Sequence, residues 1–288
     1  MLDKQENTTY TEYMNRLSTA DRAKILGMMA EGNSLRSISR MADVSINTVT
    51  KLLVDVGAAC SAYLDEHLVD LPCQRIQVDE IWAFCYAKAK NVTPEIAAKN
   101  PFAGDCWTWM AIDADTKLIP SWIIGPRDST TARIFVNDLA DRLANRIQLT
   151  SDGLNVYLNA VEKAFHGQVD YAQLVKLYNE TSEGQKRYSP AECIGCRPQV
   201  IDGNPDPAHV STSYIERSNL TMRMGMRRFT RLTNGFSKKI ENHAAAVAIH
   251  LMHYNFARGH KTLRVTPAME ARISDHIWDL EEIARLAD

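Results

Sequence analysis

Apolar positions recur at helical spacing over the first quarter of the chain and change to strand-like runs after residue 73. Residues 1–13 are polar and read as a frayed tail. Ser18 or Thr19 can cap a helix from 21 to 30, which Glu31-Gly32-Asn33 ends. Ser34 caps a short helix over 35–42, Asp43-Val44 turns the chain, and Ser45 caps a third helix over 46–53. Ile38, Ala42, Val44, Val49 and Leu52 form the inner face of this unit. The stretch 58–71 reads as a connecting helix closed by Pro72.

Beyond it the pattern predicts a strand over 75–87, a polar loop over 88–104 and a second strand over 105–113. Asp115-Thr116-Lys117 makes a hairpin turn into a third strand over 118–124. An amphipathic helix through Ala132, Phe135, Leu139 and Leu143 follows, then a strand over 146–151 and a helix over 156–165. Residues 169–178 are strand-like at first and then ambiguous, and 179–208 read mostly as loop. Helices over 214–226 and 239–256 and a short helical tail from Thr266 complete the chain. This order predicts an α/β fold of the α+β kind, a mixed sheet with helices on its faces, behind a small all-α unit. The expected divisions are 14–58, a connecting helix over 59–72, a main domain over 73–265 and a tail over 266–288.

A short helix, a tight turn and a helix opening with small polar residues form a helix-turn-helix pattern. It directs Ser45, Asn47, Thr48 and Lys51 outward, where a recognition helix presents its first residues to base edges. A generic three-helix bundle shares the pattern. Charge favours DNA. The formal net charge is only -2, yet residues 217–264 hold ten Lys or Arg and one acid, Glu241. A basic stretch on a near-neutral chain points to a directed polyanion contact. With 45% hydrophobic residues the chain can bury a sizeable core. The six cysteines are scattered, and no apolar run reaches transmembrane length, so a reducing cytoplasmic setting without a membrane partner is the expectation.

Candidate chemistry lies in the strands. Asp79 sits in the apolar run Ile76-Gln77-Val78-Asp79-Glu80-Ile81-Trp82, and a buried lone carboxylate is costly unless paired or metal-bound. Asp152 follows the fourth strand, so a parallel pairing of the first and fourth strands brings the two acids together. Glu216, Asn219 and Arg223 share one helical face by their spacing, and Arg227, Arg228 and Arg231 extend its positive charge. Three converging carboxylates require a cation, and oxygen ligands select Mg²⁺ or Mn²⁺. Glu80 adjoins Asp79 and alternation sends it to the opposite face, as a supporting or surface residue. Asp113 reads as a turn-forming acid. Cys193 and Cys196 form a lone CxxC, short of the four ligands of a structural zinc. His243, His250 and His253 on one helical segment read as core and DNA-facing residues.

Val78-Asp79-Glu80-Ile81-Trp82, Thr150-Ser151-Asp152-Gly153 and Tyr214-Ile215-Glu216-Arg217-Ser218-Asn219 resemble the three catalytic blocks of bacterial insertion-sequence transposases with a DDE triad. The resemblance spans roughly residues 14–270. It implies a ribonuclease H-like catalytic domain and a pair of Mg²⁺ or Mn²⁺ ions held by Asp79, Asp152 and Glu216. It also implies double-stranded transposon-end and target DNA as partners. Cleavage at the ends would be followed by strand transfer, in a homodimer or larger assembly in the bacterial cytoplasm at the nucleoid. Asn219, Arg223, Arg227, Arg228 and Arg231 would contact DNA. Some members of that group begin with a cysteine-rich zinc element, which this chain lacks, so end recognition would rest on the helix-turn-helix. Two other readings stand beside it: a catalytically silent DNA-binding regulator derived from a transposase, and a metal-dependent nuclease without strand transfer.

Overall fold

Serine caps start the first helices of the chain, α1 (Thr19–Ala30), α2 (Leu35–Met41) and α3 (Ile46–His67). Ser18, Ser34 and Ser45 each accept a backbone N–H of the first turn, which satisfies a donor the helix itself cannot. The computed structural model describes residues 16–178, 193–230 and 234–288. α3 runs unbroken for 22 residues, where the sequence pattern has one helix ending at 53 and another starting at 58. The buried stripe Val49, Leu52, Leu53, Val56, Cys60 and Leu64 keeps helical spacing straight through that interval. Gly57, which looks like a breaker, is a contact point instead. A Cβ there would lie 2.5 Å from the Cα of Ala245 on α8 (Ile240–Met252), so the two helices cross almost backbone to backbone. The expected boundary at 58 therefore falls inside a helix that packs on the C-terminal part of the chain.

The sheet has six strands: β1 (Arg75–Cys85), β2 (Gly104–Asp113), β3 (Trp122–Gly125), β4 (Ile147–Asp152), β5 (Val169–Tyr178) and β6 (Cys193–Asp202), in the order β3-β2-β1-β4-β5-β6. β1, β2 and β3 form an antiparallel meander, β4 and β5 run parallel to β1, and β6 returns antiparallel to β5. Asp113 closes the turn from β2 toward β3 by accepting from the N–H groups of Asp115 and Thr116. β6 is a strand where the sequence reading has loop. Its Pro198 lacks an N–H, which an edge strand tolerates because one side of it is unpaired. The stretch 88–104 likewise holds a short helix, α4 (Pro94–Lys99).

Two helices, α5 (Ser129–Asp141) and α6 (Val156–Phe165), cover one face. There Trp109 stands 6.1 Å from the Phe135 ring and 5.5 Å from the Tyr157 ring. α7 (Ser213–Gly225) lies on the opposite face, along β1. Two short helices, α9 (Pro267–Glu270) and α10 (Leu280–Arg285), end the chain. α10 packs on α1, where the buried Arg22 donates to the Ala284 carbonyl and pairs with Asp288.

Candidate active site

The site forms where β1 and β4 part. Their parallel pairing covers only Arg75–Gln77 against Gln148–Thr150. Beyond Gln77 the edge of β1 has no β4 neighbour, while β4 continues beside β5 to Asp152. Asp79 and Asp152 thus stand on the two lips of a gap. Asp79 Oδ1 accepts the N–H of Glu80 at 2.9 Å, a donor that no β4 residue takes up. Asp152 Oδ1 accepts the N–H of Leu154 at 3.0 Å, which tightens the turn into α6.

Among the described residues, Asp79, Glu80 and Asp152 are the one group of three metal-capable side chains with ligand atoms all within 4.8 Å of one another. This corrects the placement of Glu80. Alternation holds at the backbone, since Glu80 pairs across the sheet with Trp109 on the α5–α6 face. The unpaired edge nevertheless lets carboxylates from both faces turn into the same gap. Glu80 is buried, and its carboxylate is gripped by Arg127 Nε at 2.6 Å and Tyr157 Oη at 3.1 Å. Arg127 also lies 3.9 Å from Asp152 and stacks on Trp107, 4.9 Å from the ring centre.

Glu216 is not in that group. Its carboxylate accepts from Thr212 Oγ1 and pairs with Lys176 Nζ of β5, both at 2.6 Å. Lys176 and Thr212 hold its pKa below the usual value, although burial alone would raise it. The ammonium satisfies Glu216 where the sequence reading expected a shared cation with Asp79 and Asp152.

Asn219 also departs from its expected DNA-facing role. It is buried, and its Nδ2 donates to Asp79 Oδ2 at 2.8 Å. Three residues along a helix from Glu216, it lies on the face that α7 turns to the sheet. Gln77 sets that helix in place. Its Oε1 accepts the N–H groups of Tyr214 and Ile215 at 2.8 and 3.1 Å, in the first turn of α7. Gln77 and Asp79 are two apart on β1 and share a face, so one strand holds α7 at two points. A polar residue two positions from Asp79 in an apolar strand was the available signal for Gln77. Nothing in the local sequence marks Arg127, Tyr157 or Lys176.

The electrostatics favour a cation. Burial, Glu80 and Asp152 push the Asp79 carboxyl up to about 7, against the Glu80 N–H and Lys176, which lower it. Burial and Asp152 raise Glu80 as well, in spite of Arg127. The Asn219 Oδ1 is buried without a partner among the described residues. Carboxylate and amide oxygens of this kind are the ligands hard divalent ions take.

The remaining predicted residues lie away from the gap. Ser45, Asn47 and Lys51 are exposed at the start of α3, with Thr48 partly so. The Ser45 hydroxyl is engaged in its cap, and Lys51 pairs with Asp55. Arg223 is half-buried and Arg227 exposed. Arg228 is half-buried and donates to the Ser237 hydroxyl at 2.8 Å, with burial pulling its pKa down to about 10. Arg231 lies outside the described residues. His243 and His250 are core residues.

No family model matches the chain, and no curated protein does. Among solved structures it is similar to a piggyBac transposase synaptic complex with hairpin DNA, with TM-score 0.40 and 9% identity over 93% of this chain and 69% of that one. It is also similar to a Mos1 transposase paired-end complex with left transposon end, with TM-score 0.22 and 12% identity over 55% of this chain and 59% of that one. A pre-cleavage Mos1 transpososome gives the same score and identity over 55% and 60%. The chain thus spans less than two thirds of the Mos1 chains it matches. At such identities and scores, the fold reading rests on the strand order itself: a mixed α/β sheet in which β1, β4 and α7 surround one acidic gap.

Proposed function

We propose that the chain is a DDE-type DNA transposase of the insertion-sequence kind, cutting and joining phosphodiester bonds with Mg²⁺ or Mn²⁺. The observation that carries this reading is the Asp79–Glu80–Asp152 cluster, short of positive charge at Asp79 and placed at the parting of two parallel strands. Asp79 and Asp152 would hold the metal. Bound there, a divalent ion supplies a Lewis acid that makes water or hydroxyl a better nucleophile and offsets charge on phosphorus. Asn219 orients the Asp79 carboxylate. Glu80 and Tyr157 fix the Arg127 guanidinium beside Asp152, where it can meet a phosphate oxygen. Glu216, paired here with Lys176, would serve as a third ligand once that pair opens. The exposed start of α3 would meet double-stranded DNA, and two DNA ends handled in concert call for a dimer or larger assembly.

One observation favours the silent DNA-binding regulator: Glu216 is already neutralised by Lys176. Both readings meet in one assay with a labelled uncut end, a labelled pre-cut end and Mn²⁺, in which DNA binding with neither product leaves the regulator. Strand-transfer products that vanish in Asp79→Asn, with DNA binding retained, support the transposase. Cleavage without transfer leaves the nuclease, and normal cutting by Asp79→Asn would show that the metal site is misassigned.

A further inference from the structure

Away from the acidic gap, a cavity of about 710 Å³ opens between the turn joining α1 to α2 and the described stretches 226–228 and 234–238. Such a volume suits a small ligand or part of a polymer. Its described lining contains Arg36, Arg227, Arg228 and Lys238 and no acidic residue. Arg36, Arg227 and Lys238 are exposed, so their charges stand at the rim. Lys238 is held over the Phe236 ring, 3.9 Å from its centre.

Arg228 lies deeper. Its guanidinium is bonded to Ser237, and no carboxylate of a described residue pairs with it. A partly desolvated cation without a counterion carries a cost, and an anion brought into the cavity relieves it. A second buried polar group points the same way: the cavity-lining His250 is 8% exposed, and its Nδ1 has no partner among the described residues. The two walls come from parts of the sequence about 190 residues apart, the helical N-terminal unit and the segment after α7.

We propose that this cavity is a phosphate-binding site that seats the phosphodiester backbone of nucleic acid, with the half-buried Arg228 as its inner charge and Arg36, Arg227 and Lys238 at its rim. The phosphate chemistry follows from the cavity alone, and only the choice of nucleic acid as its carrier rests on the DNA reading above. The site clamps a strand where the N-terminal helices meet the catalytic body, so backbone contact there fixes register without reading sequence.

The test uses the full chain, an Arg36→Gln/Lys238→Gln variant, Arg228→Met, and a charge-matched control, Lys99→Gln/Lys163→Gln, outside the cavity. Two probes are applied. One is a short fluorescent DNA duplex, titrated by anisotropy over a salt series. The other is inorganic phosphate, followed by thermal shift against chloride at equal ionic strength. The rim variant is expected to weaken duplex binding and to flatten the slope of log K against log salt by about 2, one unit per lost phosphate contact. The control keeps the parental slope, and the phosphate-induced rise in melting temperature disappears in the rim variant and in Arg228→Met. A parental salt slope in the rim variant overturns the nucleic-acid assignment. If its phosphate shift is also intact, the cavity is not a phosphate site at all. A parent chain that binds no DNA overturns the functional reading instead, and the phosphate arm still decides the cavity's chemistry.

Discussion

A buried carboxylate that also faces two others keeps its proton longer, and Asp79 is in that position, at about 7, with the Glu80 N–H and Lys176 acting the other way. The neighbouring charges divide into two clamped pairs, Glu80 with Arg127 and Glu216 with Lys176. Each pair predicts a different outcome. Glu80→Gln keeps an acceptor for Tyr157 but releases Arg127. It should lower DNA cleavage by about 10- to 100-fold, as loss of a supporting contact at a metal site does, and steady-state rates beside calorimetric Mn²⁺ affinity separate that from lost metal. Lys176→Met removes the ammonium that competes for Glu216, so Mn²⁺ should bind more tightly. The gain should vanish when Glu216→Gln is added. Equal affinity in parent and Lys176→Met would count against Glu216 as a ligand.

The contacts between elements decide whether these side chains meet. Gln77→Ala strips two N–H groups at the start of α7 of their acceptor. Each buried unsatisfied donor costs about 1–3 kcal/mol, so urea unfolding should show a loss of that order. Activity should fall as well, because α7 carries Glu216 and Asn219. At the α3–α8 crossing two effects oppose each other in Gly57→Ala. Helix propensity favours alanine by about 1 kcal/mol, whereas its Cβ would sit 2.5 Å from Ala245 backbone, and forced overpacking costs about 1–3 kcal/mol. The clash is with backbone, which cannot swing aside, so the variant should be destabilised. A gain in denaturation midpoint would mean that the helices are further apart.

For the whole molecule, acid stability depends on two buried imidazoles on α8. Burial and Arg228 hold His243 neutral down to about 3, and burial with His253 and Arg258 holds His250 neutral down to about 4, against 6.5 for an ordinary histidine. Once unfolded, both take up a proton near 6.5. The unfolded chain therefore binds more protons below that pH, and stability falls as pH drops through 6.5, levelling off only near the folded values. Asp79 acts in the opposite sense, since its raised folded pKa adds stability as pH falls through 7 toward 3.8. Comparing urea midpoints at pH 7 and pH 5 for the parent and His250→Gln isolates the histidine contribution. The parent should lose more on acidification than the variant, and equal losses would show that His250 is already charged when folded.

By itself the sequence determined most of the helices, the central strands and the two central acids, but not β6, α4 or the continuity of α3. Serine caps, helical stripes and the apolar runs around Asp79 and Asp152 act over a few residues, so they are legible in one dimension. They also implied that these aspartates meet if the strands bearing them run parallel, as β1 and β4 do. The tertiary structure decided what fills the gap. β1 loses its β4 neighbour after Gln77, and at that break the Glu80 carboxylate comes close to those of Asp79 and Asp152 although the backbone keeps its alternating faces. Lys176 reached Glu216 from β5, forty residues away in sequence, and Asn219 turned inward to Asp79. Gly57, in the interval left between two predicted helices, became a crossing point because Ala245 passes over it. Each of these depends on a partner distant in the chain, and local pattern carries no record of such a partner.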